Sequence, residues 1–411
     1  MSGPYKNVVV VGGSFVGLMA AHELVKTLPE GYRVVVVEKN SHFAHLFAYP
    51  RFAILPAHEH KAFIPFKPML RSPHAIVRAK AVSITPSGSL ELDHPVDLVS
   101  SSSESTSPVS SLPYEALVIA TGTQLSPPGT MPGRGDKQEG VAYLRSVQRN
   151  VQDAKEVVIL GGGAVGVQMA CDLAVLSPGK SITLVHSRDQ LMPRFHPRLS
   201  EIVKARFAEL GIKTVLGSRA RVPNGGFEGW RGGAIELENG DRVPADYIIQ
   251  STGQTPNSQF LQGVAPSAIL PSGFVSVNTF SQVAPTVASE LNALDGRVFA
   301  IGDIAETGAQ KAARPAMQHA QVLGRNVAKL LNGEPSTAFE EIEVSPGAIH
   351  LTLGFVESIV FRNPRRDPST GGWFGDPVVT MKVDGKDDMG IEGVWERRVP
   401  GFVKRAQDYH L

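Results

Sequence analysis

The chain carries a single cysteine, Cys171, in 411 residues. One thiol excludes an internal disulfide, a Cys-x-x-Cys redox pair and a four-cysteine zinc site, and it fits a reducing compartment. Its setting, "VQMACDLAVL", reads as a helix, so Cys171 is expected to be a buried structural thiol rather than a reactive one. Charge of one sign is also lacking. Forty basic against 39 acidic side chains leave a formal net charge of +1, so no global field draws nucleic acid or an acidic membrane to the chain. No apolar run approaches the roughly 18 residues of a membrane-spanning helix. No secretory leader is evident, and the opening Met-Ser-Gly lacks the Met-Gly start of an N-myristoylated protein. The expected address is cytoplasmic, with a peripheral contact with organelle membranes left open. No metal site is expected.

With 42% hydrophobic and 19% charged residues, the composition supports ample core, and the length points to two or three domains. The run Asn7 to Val11 is β-branched without polar alternation, as in a strand buried on both faces. A helical segment from about Val16 to Leu28 follows, and then a second buried strand, "RVVVVE", from Arg33 to Glu38. This is a βαβ unit of the dinucleotide-binding kind. Its turn reads Gly12-Gly13-Ser14-Phe15-Val16-Gly17. Gly12 suits the tight turn and Gly17 the close packing of helix on strand, while Ser14 stands where a second glycine lets phosphate approach. Glu38 ends the second strand 21 residues after Gly17, where a carboxylate can accept both hydrogen bonds of a ribose diol.

The pattern repeats. "KEVVILGGGAVGVQMACDLAVL" from Lys155 is followed by "SITLVHSRD" from Ser181, and "DYIIQSTGQTPN" echoes the earlier "YEALVIATGT". The second turn keeps all three glycines, Gly161, Gly163 and Gly166, but its matching strand ends in His186-Ser187-Arg188 instead of an acid. A carboxylate there would repel the 2′-phosphate of NADPH. Arg188 either pairs with that phosphate or points to water, so strict NADH selectivity is disfavoured without NADPH preference being established. The duplication implies one nucleotide held permanently and one exchanged. Between the units, the serine-rich stretch Val99 to Leu112 reads as a mobile surface loop. "DGRVFAIGDIAE" then gives a strand ending in Gly302-Asp303, a helical stretch runs from about Gln310 to Leu331, and the tail from Phe339 has strand-like runs.

In this order, "VVVVGGSFVG", Glu38, "AYPR" (Ala48 to Arg51), "VIATGT", "GGGAVG", "STGQTPN" and "VFAIGD" resemble the motifs of two-dinucleotide flavoprotein reductases, over about Asn7 to Leu331. Within them the chain is most similar to the apoptosis-inducing-factor-like group, including the ferroptosis-suppressor type of NAD(P)H:quinone oxidoreductase. "NSHFAHLFAYPR" is the most group-specific piece. The resemblance implies an α/β fold of two Rossmann-like domains with a small C-terminal α+β cap. FAD would be bound by 1–128 and 258–337, NAD(P)H by 129–257, and the cap would span 338–411. Gly12, Gly13, Ser14, Phe15, Val16 and Gly17 would wrap the FAD diphosphate, and Glu38 beside Lys39 would hold the ribose. Arg51 would sit by the FAD phosphates or flavin edge, and Val82 would meet adenine through its backbone. Ala120, Thr121 and Gly122 would close over FAD, and Gly302 and Asp303 would reach the ribityl chain.

For NADH or NADPH the implied residues are Gly161, Gly163, Val165, Gly166, His186, Arg188, Thr252 and Gly253. "ARPAMQ", Ala313 to Gln318, is similar to the Ala-Gln-x-Ala-x-Gln quinone signature of type II NADH dehydrogenases, with Arg314 in place of its first glutamine. Gln318 and His319 would line the flavin, His319 as a candidate proton donor or a packing residue. Trp373, Phe374, Trp395 and Phe402 would stack on a planar acceptor, touch lipid or fill core. The usual glutamate two residues after the second loop is Gln168. The implied reaction takes hydride from NAD(P)H to FAD and passes electrons to a quinone-like acceptor. A reductase of a small protein such as ferredoxin, and a cell-death regulator binding DNA or protein partners, are the alternatives; no nucleic acid is expected, and the oligomeric state is not assigned.

Overall fold

The computed structural model describes residues 5–98, 108–133, 135–223, 226–227, 230, 232–367 and 369–411. The chain divides into two compact units. The first comprises Met1–Ala44, Pro65–Gln124 and Thr255–Ser345; the second comprises His45–Ile64, Leu125–Gln254 and Pro346–Leu411.

The first unit is built on a five-stranded parallel sheet. Its order is Val298–Ala300, Ala116–Ile119, Lys6–Val11, Tyr32–Glu38, Ala75–Arg78. Side chains alternate across a strand, so the valine run serves both faces. Val8 and Val10 pack with Ala20, Leu24, Leu323 and Val327 of the helices Phe15–Thr27 and Ala313–Leu331. Val9 and Val11 pack on the opposite side with Ile84, Leu90 and Leu112 of a three-stranded antiparallel sheet. Covering on both faces is why the strands show no polar alternation. The expected serine-rich loop needs correction at one end. Residues 99–107 lie outside the described residues, but Val109–Pro113 is a strand paired with Ser89–Val96, and Leu112 is fully buried. Its two consecutive serines, Ser110 and Ser111, sit beside buried Leu112, so low overall hydrophobicity concealed a half-buried strand.

The second unit repeats the plan with a four-stranded parallel sheet, Lys213–Leu216, Ser181–His186, Glu156–Leu160, Tyr247–Gln250. Helix Ala164–Leu176 follows its nucleotide loop. Cys171 lies there fully buried, and burial pushes its thiol well above the ordinary range, as expected for an inert thiol. The tail contributes an antiparallel sheet, Ala348–Thr352, Ser358–Arg362, Val378–Lys382, and the helix Ile391–Arg398. This is the expected α+β element, and it belongs to the second unit. Of its four singled-out aromatics, Trp395 is core, 1% exposed, donating from Nε1 to the Lys61 carbonyl (2.8 Å) and meeting Tyr409 edge-on. Phe402 packs on Trp395, and the Arg366 guanidinium covers Trp373. Phe374 alone among them is exposed.

Candidate nucleotide sites

In the first unit the loop after Lys6–Val11 is held by steric necessity at two glycines. Gly12 has φ +106°, and a Cβ there would lie 2.5 Å from the Ala120 carbonyl oxygen. A Cβ on Gly17 would lie 1.8 Å from the Gly12 oxygen. The second unit matches this at Gly161 (φ +115°) and Gly166, where the Cβ would lie 1.9 Å from the Gly161 oxygen. The middle position is different. Ser14 is extended (φ −86°, ψ −157°), as is Gly163 (φ −85°, ψ −175°), so neither backbone needs glycine. A Cβ at Gly163 would meet no protein atom within 4 Å, which leaves that space to a ligand. Each residue is the N-cap of a 13-residue helix, and the Ser14 hydroxyl makes no capping bond. Open amides at such a helix start, with no acid in the first turn, suit the diphosphate of a dinucleotide.

Glu38 closes the first loop from the end of the neighbouring strand. It is buried, and its Oε2 accepts from the Gly13 amide at 2.5 Å. Its Oε1 accepts from the amide and side chain of Asn40 at 2.8 and 2.7 Å. Burial raises its pKa, opposed by the Asn40 and Gly13 amides. Asn40 was not anticipated, although an Asx residue two positions after an acid is the signal for such a local bond. Lys39 between them is exposed.

The remaining first-unit residues converge on the same end of the sheet. Ala120 abuts Gly12; Thr121 Oγ1 donates to the Asn257 carbonyl (2.8 Å), and Asn257 Nδ2 donates back to the Thr121 carbonyl (3.0 Å). Asn257 therefore braces the first Thr-Gly motif, a role its place in "STGQTPN" did not reveal. Gly302 (φ +80°) rests against Val16, which brings Gly302-Asp303 beside the loop, and Phe15 meets Phe43 edge-on. Val82 sits at a register break between Ala81 and Ser83, and its side chain is exposed. A bulge residue leaves the ladder, so its backbone is free for another partner. On the helix Ala313–Leu331, Arg314 and Gln318 are exposed.

Two expectations are overturned. Arg51 is committed to partners within its own unit. It lies in the second unit, 1% exposed, with Nε and Nη2 in a two-pronged pair with Asp172 (2.9 and 2.7 Å). Its remaining bonds go to the Gly354 and Lys386 carbonyls, and its plane lies over Phe355. Four of its five N–H donors are so engaged and Asp172 neutralises its charge, which leaves it poorly suited to hold a phosphate. His319 does not serve as the candidate proton donor. It is 4% exposed, and its Nε2 sits 3.1 Å from the Glu343 carbonyl. A carbonyl only accepts, so Nε2 carries its proton there, and burial holds the ring below its ordinary pKa. His319 is a packing residue.

In the second unit the Gly162 amide donates to His186 Nδ1 at 3.1 Å, the counterpart of the Gly13–Glu38 bond. Arg188 is exposed. Val165 lies in the first turn of helix Ala164–Leu176. Thr252 and Gly253 follow the strand Tyr247–Gln250; the Thr252 carbonyl accepts from Ser126 Oγ, and Gly253 has φ +85°. Among the described residues no cluster of metal-ligating side chains occurs, and no helix is long and apolar enough to cross a membrane.

The family model for pyridine nucleotide-disulphide oxidoreductases matches residues 6–322. The chain is 36% identical to Fe-regulated protein 8 of Mycosarcoma maydis over 97% of its length and 96% of that protein. It is 26% identical to ferroptosis suppressor protein 1 of Xenopus tropicalis, over 91% of each chain. Its fold is similar to that of the sulfide:quinone oxidoreductase of Aquifex aeolicus, with a TM-score of 0.69 and 17% identity, covering 95% and 90% of the two chains. The chain belongs to the pyridine nucleotide-disulphide oxidoreductase family and is an FAD-dependent oxidoreductase with NAD(P)H as its co-substrate.

Proposed function

We propose that this enzyme oxidises NAD(P)H and delivers the electrons to a quinone-type acceptor. The observation that carries this reading is two complete dinucleotide loops in a chain whose lone cysteine is fully buried. A family member without a second thiol cannot relay electrons through its own disulfide, so a diffusible acceptor must take them. Bound FAD supplies the redox chemistry, accepting hydride and releasing electrons to the acceptor. In this reading 1–128 and 258–337 hold FAD, 129–257 hold the nicotinamide nucleotide, and 338–411 form the cap.

The protein's own contribution is binding and orientation. Ser14 and Gly163 start the helices Phe15–Thr27 and Ala164–Leu176, whose N-terminal ends would each face a diphosphate, while the Gly13 and Gly162 amides stay on Glu38 and His186. Glu38, fixed by Gly13 and Asn40, keeps lone pairs for the ribose hydroxyls of the permanently held nucleotide. Asp303 would orient the ribityl chain, and exposed Gln318 and Arg314 on "ARPAMQ" are available to hydrogen-bond a quinone carbonyl.

Anaerobic stopped-flow reduction of the purified yellow protein by NADH and NADPH, followed by a panel of oxidants, tests the reading. Reoxidation by ubiquinone analogues or menadione at rates supporting turnover is expected. Protein lacking FAD, or turnover only when ferredoxin and cytochrome c are supplied, would overturn it.

A further inference from the structure

The tail of the second unit presents a surface that is basic and apolar at once. Its strands Ser358–Arg362 and Val378–Lys382 pair antiparallel, and between them in the chain lies a short hairpin, Arg365–Arg366 with Trp373–Phe374. The registers set Arg362 opposite Val378, Arg365 opposite Phe374 and Arg366 opposite Trp373. Directly opposed residues of an antiparallel pair point to the same side of the ribbon, so each arginine shares its side with an apolar neighbour. All three arginines are exposed, and so are Phe374 at 61% and Val378 at 63%. Trp373 is half-buried, with the Arg366 guanidinium 4.0 Å from its ring centre.

Packing adds a fourth arginine. The buried Asn363 side chain accepts from the His196 amide (2.9 Å) and donates to the Arg194 carbonyl (3.2 Å), which stitches exposed Arg194 beside Arg362. Asp367, the acid in the hairpin turn, commits its carboxylate to Ser369 and Thr370. Four arginines against Asp367 and Asp376 make this surface basic, although the whole chain carries only +1. Salt screens such a field within about 8–10 Å, so it acts on what touches it. Val378–Lys382 is an edge strand, and exposed Val379, Met381 and Val383 carry the apolar row onward along it.

We propose that this hairpin and the adjoining edge strand dock the protein on the anionic lipid headgroups of a membrane surface. An apolar side chain with an arginine directly across from it suits the boundary between lipid and water. Phe374 and Val378 enter the acyl border, and Arg365 and Arg362 hold the phosphates beside them. A nucleic acid would use the arginines and an aromatic ring, because bases stack on rings, but the exposed valines and methionine offer it nothing. The docking surface is independent of the quinone reading, for it concerns binding and holds whichever acceptor is reduced.

Co-sedimentation of the FAD-loaded protein with lipid vesicles tests this, the unbound fraction being read from flavin absorbance. Vesicles of phosphatidylcholine with phosphatidylserine should bind at low salt about 10-fold or more tightly than phosphatidylcholine alone, and added salt should weaken the binding. Arg362→Glu with Arg365→Glu should lower the affinity for the anionic vesicles about 10-fold or more, while Arg362→Lys with Arg365→Lys should keep it. Phe374→Ser with Val378→Thr should lower it too, leaving a remainder that salt abolishes. These side chains are exposed, so the variants should keep their FAD content and Tm, which separates lost docking from a lost fold. Equal binding to neutral and anionic vesicles, or undiminished binding by Arg362→Glu with Arg365→Glu, would overturn the proposal. So would no vesicle binding at low salt, and capture of a single-stranded oligonucleotide in its place would assign the surface to nucleic acid. Failure of quinone turnover with vesicle binding intact would overturn the acceptor and leave the docking surface standing.

Discussion

Ser14 shows how a deviation from a motif can be read in physical terms. A serine in a left-handed conformation would cost about 1 kcal/mol, but Ser14 is extended and carries no such strain. Ser14→Gly should therefore leave FAD bound, with the visible spectrum and the Tm of the holo-protein little changed. Gly17→Ala, whose methyl would sit 1.8 Å from the Gly12 oxygen, should yield protein without FAD, read from the flavin absorbance of the purified variant. Arg188 admits a similar test. It is exposed. Arg188→Ala should raise KM for NADPH about 10- to 150-fold, the worth of one charge-assisted bond, and leave KM for NADH nearly unmoved. An equal rise for both nucleotides would remove the phosphate contact.

Arg51 belongs to a short helix, Tyr49–Phe52, and gathers elements that are far apart in the sequence. Within the second unit it joins helix Ala164–Leu176 through Asp172 to the tail through the Gly354 and Lys386 carbonyls. Both partners are essentially inaccessible, at 1% and 0% exposure. Removing one member of such a pair strands the other charge and costs about 3–5 kcal/mol, whereas replacing both with apolar residues is often far milder. Arg51→Ala should lower the Tm of the second unit strongly, and Arg51→Met with Asp172→Leu should recover much of it. The folded fraction should bind FAD as the natural protein does, and a specific loss of FAD affinity would reinstate the phosphate contact.

Several histidines are folded in the neutral form, and together they set the acid limit of the molecule. Burial, with Arg398 and Arg397 nearby, depresses His45 to about 4, and burial depresses His60 to about 4. His186 and His319 shift in the same direction. In the unfolded chain these rings take up protons near pH 6.5, while in the fold they do not until pH is much lower. Acid therefore favours the unfolded state: stability is fully present above about pH 6.5 and is lost progressively as pH falls towards 4. For buried His45 the loss is on the order of 3 kcal/mol. Differential scanning fluorimetry should show Tm falling between pH 6.5 and 5, above the range where ordinary carboxylates titrate, with a shallower fall in His45→Gln. A flat profile over that interval would contradict the neutral-histidine account.

The two βαβ units, their order and the nucleotide chemistry were legible in the primary structure because their determinants are local. A buried parallel strand must be apolar throughout, a turn that presses on a neighbouring carbonyl must be glycine, and each signal fits within a few consecutive residues. The strand Val109–Pro113, Arg51 and His319 were not legible in this way. A half-buried edge of serines looks like a loop until Ser89–Val96 lies beside it. An arginine in a group-specific motif looks like a phosphate ligand until residues 121 and 303 positions away supply its partners. The proton on His186 depends on which atom faces the Gly162 amide, a matter of angle and distance that spacing along the chain does not encode. Composition and periodicity were enough for the architecture, but hydrogen-bond partners were settled only when distant segments packed together.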